Sequence, residues 1–446
     1  MKPKIACLAG LLIAAPIYGQ FKVGTAKIDI TPTDAIWMSG YANRSKPSEG
    51  VAQKLWARAV AVDDGRGKRV VLLGADLIGF PRQLTDVVAA RLGKEHGLER
   101  ADIVVNASHT HSGPMVWPNL RLISPVPAAE EARLKEYAGR VTEALVEAGN
   151  RALGGLKPAR LEIAHGKVTF GVNRRVVGPG GVKFGVSPQA PKDEDVPVMR
   201  ALSPDGKLLA VFFGYACHNT TLTGDNYQIH GDYSGVASEE LEKAAPDAVA
   251  LFYTLCAGDQ NPEPRNTMEL AVQHGRTLAA EVQRVMVGGL RPVKGRLRSA
   301  FEVIELRFAV KDRADFEKEA QDQNAWRVRR AKEMLRLMDE GRPLRQIPYP
   351  VQAVRFGDTF TLVALGGEVV VDYALRVKRE RPGQDIVLAA YSNDVMCYIP
   401  SLRVLKEGGY EADFNLIYYG MPGPFAEDVE ERVMAGVGSV LKRVGR

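Results

Sequence analysis

The chain has 446 residues, 46% hydrophobic and 25% charged, with a formal net charge of +6. That length can bury a substantial core, and the composition is that of a globular protein rather than a disordered or fibrous one. The basic excess is scattered and nowhere forms a stripe interleaved with aromatics, so nucleic-acid binding finds no support.

The first twenty residues stand apart. Lys2 and Lys4 precede an apolar run from Ile5 to Ala15, followed by Pro16, Tyr18, Gly19 and Gln20. A charged start, a short apolar stretch and a small residue before the cut describe a signal peptide, residues 1–19. The run is too short to span a bilayer. The expected product is secreted or periplasmic, with residues 20–446 as one catalytic domain. It retains Cys217, Cys256 and Cys397, too few for a disulfide framework; each sits in an apolar context and reads as a buried thiol.

In chain order, Phe21–Ile30 reads as a strand. Leu55–Asp63 and Arg69–Ala75 form a hairpin through Gly65-Arg66-Gly67. Residues 83–94 carry apolar positions at helical spacing, closed by Gly97. The short strand Ile103–Ala107 runs into SHTHSGP, and a long amphipathic helix follows at about 129–152. Ala159–Val168 is a strand, and the glycines and prolines from Gly178 to Pro191 predict a long loop. Val196–Ala201 and Leu208–Cys217 make a second hairpin, whose second strand is apolar on both faces. A helix to about Lys243, the strand Val249–Cys256 and a helix at 268–287 come next. Arg298–Phe308 is a strand and Ala314–Met338 one charged helix. The hairpin Val351–Phe356 and Thr359–Leu365 ends in Gly366-Gly367, after which Glu368 heads a helix to Arg379. Ile386–Tyr391 is a strand, and a helix from Phe425 closes the chain. The predicted fold is α/β, a mixed β-sheet core flanked by helices.

Four apolar strands end in polar clusters, SHTHSGP, CHNT, AGDQNP and YSNDVMCYIP. Ligand crevices of α/β folds form at the carboxyl ends of strands. His109 and His111, two apart at a strand end, present two imidazoles side by side if the backbone stays extended. Imidazole serves as metal ligand or as general acid and base. Of seven histidines, His109, His111, His218 and His230 fall in or beside these clusters. Glu368 is either a carboxylate aimed inward or a cap on its helix. A divalent metal accounts economically for several histidines meeting a carboxylate, and zinc takes such donors while keeping one position for water.

GTAKIDITP, SHTHSGP, GVNRR, ACHNT, HGDYSG, AGDQNP, LGGE and YSNDVMCYIP with GGYE stand in the order seen in neutral/alkaline non-lysosomal ceramidases, and the chain resembles the N-terminal catalytic domain of that family. The resemblance implies a zinc amidase acting on a lipid or other small amide, with peripheral membrane contact; it specifies no oligomeric state. It implies His109, His218, Glu368 and Tyr398 as zinc ligands. It further implies Tyr410 as a second site tyrosine, His111 and Arg174 as stabilisers of charge on the scissile carbonyl oxygen, and Asp232 as a supporting residue behind the ligands.

Two departures bear on activity. Asn261 stands where the family's GDxSPN motif has serine; an amide donates a hydrogen bond to an oxyanion but cannot attack. The C-terminal β-sandwich-like domain of full ceramidases is expected to be missing. Hydrolysis of a different amide or ester, or a non-catalytic module that retains the metal, therefore stand as alternatives.

Overall fold

The computed structural model describes residues 21–124 and 126–445, so the expected signal peptide lies outside the described residues. The largest sheet runs in the order Val249–Thr254, Leu208–Tyr215, Asp195–Leu202, Lys157–Lys167, Phe21–Asp29, Trp56–Asp63, Arg69–Ala75 and Ile103–Ala107, with Arg291–Pro292 added beside Lys157–Lys167. Its outer pairs are parallel and its interior pairs antiparallel. A second sheet orders Leu297–Arg307, Gln346–Phe356, Phe360–Leu365 and Ile386–Ala389, the last pair parallel.

Alternation along the strands sorts side chains into layers. Ile103 and Val105 pack with the helices Arg82–His96 and Ala128–Gly154, while Val104 faces the second sheet. Phe213 and Phe252 likewise meet the helices Asp232–Ala244 and Met268–Met286, while Phe212 and Tyr253 face the second sheet. The far side of that sheet is covered by the helices Asp372–Glu380 and Val429–Val444. The large sheet curls until its two edge strands meet, Tyr253 OH reaching Val104 O at 3.3 Å, with helices outside it and the second sheet packed against its inner side. This is the predicted mixed α/β core. Among the described residues no helix is long and apolar enough to cross a membrane. Cys217, Cys256 and Cys397 are free and buried, as expected.

Several elements differ from the sequence reading. The predicted loop from Gly178 is a hairpin, Gly171–Gly178 with Gly181–Ser187, turned at its Gly-Pro-Gly-Gly tip. Glycine and proline marked the turn and hid the short apolar strands around it. The predicted helix Ala314–Met338 is two, Arg313–Glu319 and Ala325–Asp339. Asn324 breaks it by capping the second, its Oδ1 accepting from the Trp326 and Arg327 amides at 3.0 and 3.2 Å. Glu368 heads no helix. Glu368–Val369 is a two-residue strand parallel to Tyr398–Ile399, and the helix begins at Asp372. The closing helix begins at Val429 rather than Phe425.

Candidate active site and metal centre

The carboxyl ends of five strands meet at one end of the two sheets. Asn106 gathers three of them. Its Nδ2 donates to Ala390 O at 2.6 Å and to Ser392 Oγ at 3.0 Å, and its Oδ1 accepts from the Thr254 amide at 3.0 Å. Asn106, three residues before His109, is thus a tie between strand ends.

His109 takes that turn with φ of 63°, a left-handed conformation that a non-glycine residue adopts at a cost of about 1–3 kcal/mol. The extended backbone expected for His109 and His111 is absent, yet their rings converge, with Nε2 atoms 3.0 Å apart. Gly40 makes room for this. A Cβ there would lie 2.4 Å from His111 Nδ1. Arg44, buried beneath, donates to the His111 carbonyl at 2.6 Å.

His218 follows the strand Leu208–Tyr215, its amide bonded to Gln260 O at 2.9 Å. The Nδ1 atoms of His109 and His218 face the carbonyl oxygens of Ile78 and Ala257 at 2.5 and 2.7 Å. Carbonyls only accept, so both Nδ1 atoms carry the proton and both Nε2 atoms offer lone pairs inward. Glu368 Oε2 lies 3.0 Å from His109 Nε2 and 3.1 Å from His218 Nε2. The Tyr398 hydroxyl lies 3.0 Å from His218 Nε2. His109, His218, Glu368 and Tyr398 therefore surround one buried point.

His111 also turns Nε2 toward this point, and the His109, His111 and His218 nitrogens lie within 4.8 Å of one another, a group able to bind a metal ion. His111 differs in one respect: its Nδ1 is buried with no hydrogen-bond partner among the described residues. Nothing orients its ring as the two carbonyls orient His109 and His218.

The electrostatics suit neutral His111 and His218 beside an anionic Glu368. Burial pushes His218 down to about 4, helped by Arg174. Burial and the neighbouring imidazoles hold His111 well below its ordinary value. For Glu368 burial alone acts upward, but His109 and His218 overrule it and hold the carboxyl well below the usual range. Burial raises the Tyr398 phenol, against the pull of Arg174.

Arg174 and Asn261 arrive on paired strands, Gly171–Gly178 and Gln260–Pro262. Arg174 is buried and donates to Glu411 Oε1 at 2.8 Å, Tyr398 OH at 3.0 Å and Asn261 Oδ1 at 3.2 Å. Its neighbour Arg175 turns away to Glu411 and Glu407. Asp259, ahead of Asn261, accepts from the Val371 amide and from Asn173 Nδ2, both at 2.8 Å, and burial lifts it to about 6. Tyr410 lies against Tyr398, ring centroids 5.3 Å apart. His111, Arg174, Asn261, Tyr398 and Tyr410 all line a pocket of about 430 Å³, within the range of ligand sites.

Two candidates stand behind the site. Asp232 accepts from the Leu222 amide at 2.9 Å and so braces the loop after His218 without touching an imidazole there. His230 accepts from the Asp232 amide through Nδ1 at 2.8 Å. Sequence reasoning missed Tyr419, whose hydroxyl donates to Glu368 Oε1 at 2.6 Å. It also missed Tyr391, 3.4 Å from Oε2. A tyrosine in an apolar run carries no signal of a buried carboxylate partner.

The family model for the neutral/alkaline non-lysosomal ceramidase N-terminal region matches residues 21–275. Neutral ceramidase of Pseudomonas aeruginosa is 26% identical over 257 residues, which cover 54% of this chain and 37% of that one. The Drosophila melanogaster neutral ceramidase is 25% identical over 252 residues, 54% and 34% of the two chains. That of Mycobacterium tuberculosis is 25% identical over 265 residues, 54% and 40%. The chain thus matches between a third and two fifths of the length of these relatives. The crystal structure of the Pseudomonas aeruginosa enzyme superposes with a TM-score of 0.72 at 20% identity, over 95% of this chain and 75% of that one. At that identity the likeness is one of fold, and it extends past residue 275 to the region that supplies Glu368, Tyr398 and Tyr410.

Proposed function

Since the chain belongs to the neutral/alkaline non-lysosomal ceramidase family, we propose that it is an exported zinc-dependent amidohydrolase that cleaves the N-acyl bond of a lipid amide, with ceramide-like molecules as the default substrate. The observation that carries this reading is the convergence of His109 Nε2, His218 Nε2, Glu368 Oε2 and the Tyr398 hydroxyl on one buried point. The donor set fits zinc, which takes imidazole nitrogen and carboxylate oxygen in four-coordinate sites. The two carbonyl-oriented imidazoles are the better ligands, because a metal-binding histidine donates its other N–H to a fixed acceptor. His111, without such an acceptor, is assigned to the substrate.

A zinc ion held by these four residues supplies Lewis acidity toward the scissile carbonyl and acidifies water at neutral pH. The chain's own groups do the rest. Arg174 and His111 face the pocket beside that point and stabilise negative charge as it grows on the carbonyl oxygen. Glu411 and Asn261 hold the Arg174 guanidinium in place, and Arg174 in turn donates to the Tyr398 oxygen, favouring its ionised form. Asn261 orients Arg174 and offers no nucleophile. The reading is tested by metal analysis of purified protein together with turnover of N-acylsphingosine. Wild type is expected to hold about one zinc per chain, with His109→Ala and His218→Ala losing both metal and turnover. Metal-free wild type that behaves like those variants would sink it.

A further inference from the structure

The pocket in front of His111 has two unlike walls. Phe184, Val186, Tyr410 and Tyr418 make one, with ring centroids 5.0 Å apart for Phe184 and Tyr410 and 6.3 Å for Tyr410 and Tyr418. Thr220, Asn261, Glu263 and Arg265 make the other. Thr220 Oγ1 donates to Asn261 Oδ1 at 3.3 Å, and the Asn266 amide donates to Thr221 O at 2.8 Å, which lays the turn carrying Glu263 and Arg265 along this polar strip.

Arg174 stands at the seam. It bonds Asn261 on the polar side, and its guanidinium carbon lies 5.1 and 5.7 Å from the ring centroids of Phe184 and Tyr410 on the apolar side. An amide whose carbonyl oxygen meets Arg174 therefore has one half over aromatic rings and the other along the polar strip.

The polar strip is charged and unpaired. The side-chain hydrogen bond of Arg265 runs from Nε to Asn266 Oδ1 at 3.3 Å, and no carboxylate of the described residues lies within ion-pair distance of its guanidinium. Arg265 is half-buried, and its charge acts on the buried Tyr41 phenol of the same pocket. Glu263, two residues earlier, also faces the pocket without a cation partner among the described residues. A sphingoid half would offer these groups two neutral hydroxyls and no counter-charge, and lay the rest of its chain as hydrocarbon over them. A carboxylate in that position would meet Arg265 in a charge-assisted, two-pronged contact.

We propose that the preferred substrate is an N-acyl amino acid, its acyl chain on the aromatic wall and its carboxylate on Arg265, with Glu263 accepting from donors of the amino-acid half. This rests on the amidohydrolase reading and replaces only its substrate class. The reaction balances with water alone. The water oxygen bonds to the acyl carbon, the C–N bond breaks, and a water proton ends on the departing nitrogen, giving a carboxylic acid and a free amino acid.

The test compares N-decanoylglycine with N-decanoylglycinamide, which differ by one charge at constant shape, in calorimetric binding and in turnover by the zinc-loaded full chain. The acid is expected to bind at least about tenfold tighter, with Arg265→Gln bringing the ratio near one and Arg265→Glu reversing it. Equal binding of the two by wild type, or a short-chain ceramide binding tenfold tighter than either, would overturn the assignment. Selective binding without turnover would instead overturn the hydrolase reading and leave the recognition by Arg265 standing.

Discussion

Glu368 shows how much of a site one carboxylate can organise. One oxygen faces two imidazoles and the other accepts from Tyr419, so the carboxylate has a single orientation available to a metal. Removing such an outer partner typically costs about 10–100-fold in metal affinity. Tyr419→Phe is accordingly expected to weaken zinc binding by that factor in a competition titration against a chromophoric chelator. Tyr391→Phe, whose contact is 3.4 Å, should change it little. Arg174 belongs to the other half of the site. Arg174→Gln is expected to lower kcat by about 10²–10³, the range for loss of an oxyanion donor, at unchanged zinc content. Loss of zinc from that variant would show that its bond to Tyr398 matters more than its reach toward substrate. The sequence marked His109, His218 and Glu368 by their types and by the strand ends they follow. It could not mark Tyr419, because its partner is 51 residues away and the contact is purely tertiary.

At the scale of elements, the Gly366-Gly367 break sets the short strand of Glu368, and the Asp195–Asp385 edge joins the two sheets. Gly367 has φ of 72°, and a Cβ there would lie 2.7 Å from Cys397 O, in the segment that pairs Glu368 with Tyr398. Gly367→Ala is expected to cost about 1–3 kcal/mol and to lower zinc occupancy with it, read by denaturant unfolding and metal analysis. Full zinc occupancy in the variant would mean that the pair of short strands tolerates the shift. His165 joins the two sheets. Its Nδ1 lies 2.8 Å from Asp195 and its Nε2 3.0 Å from Asp385. Burial alone would depress the imidazole, but the two carboxylates raise it to about 9. A folded-state value above the unfolded one of ~6.5 means the stabilisation is complete below ~6.5 and fades as pH rises through 9. His165→Gln should therefore lower the Tm at pH 6 and converge on wild type by pH 10. A gap that stays constant over that span would assign His165 a packing role only. The hairpin Gly171–Ser187 belongs at this scale too. From Gly178 on, its turn residues dominate a short window and predict a loop, whereas its strands are defined by pairing that propensity does not see.

At the scale of the whole molecule, the site exists because two sheets end together. Asn106 links the edge of the large sheet to its opposite edge at Thr254 and to the second sheet at Ala390 and Ser392. The proposed metal ligands then come from both sheets, His109 and His218 from the large one and Glu368 and Tyr398 from segments following the second. A ligand bound across them stabilises the native state by mass action, about 2.7 kcal/mol at a hundred times its Kd. Chelation is expected to lower the Tm reversibly and abolish turnover together, both returning on addition of zinc. Loss of turnover with no change in Tm would place the metal on one sheet only.

What the sequence determined by itself follows from short-range physics. Period-two burial, helical spacing and the Gly65-Arg66-Gly67 turn specified most of the strands and helices, and apolar runs ending in polar clusters specified where chemistry collects. The ordered motifs placed the chain in its family. Only the tertiary structure decided which polar residues face one another. It turned His109 inward through a left-handed backbone, used Asn106 to tie strand ends, set Glu368 on a strand instead of a helix, and left Arg265 facing the pocket without a counter-charge among the described residues. Each of these depends on groups far apart in sequence, where local propensity carries no information.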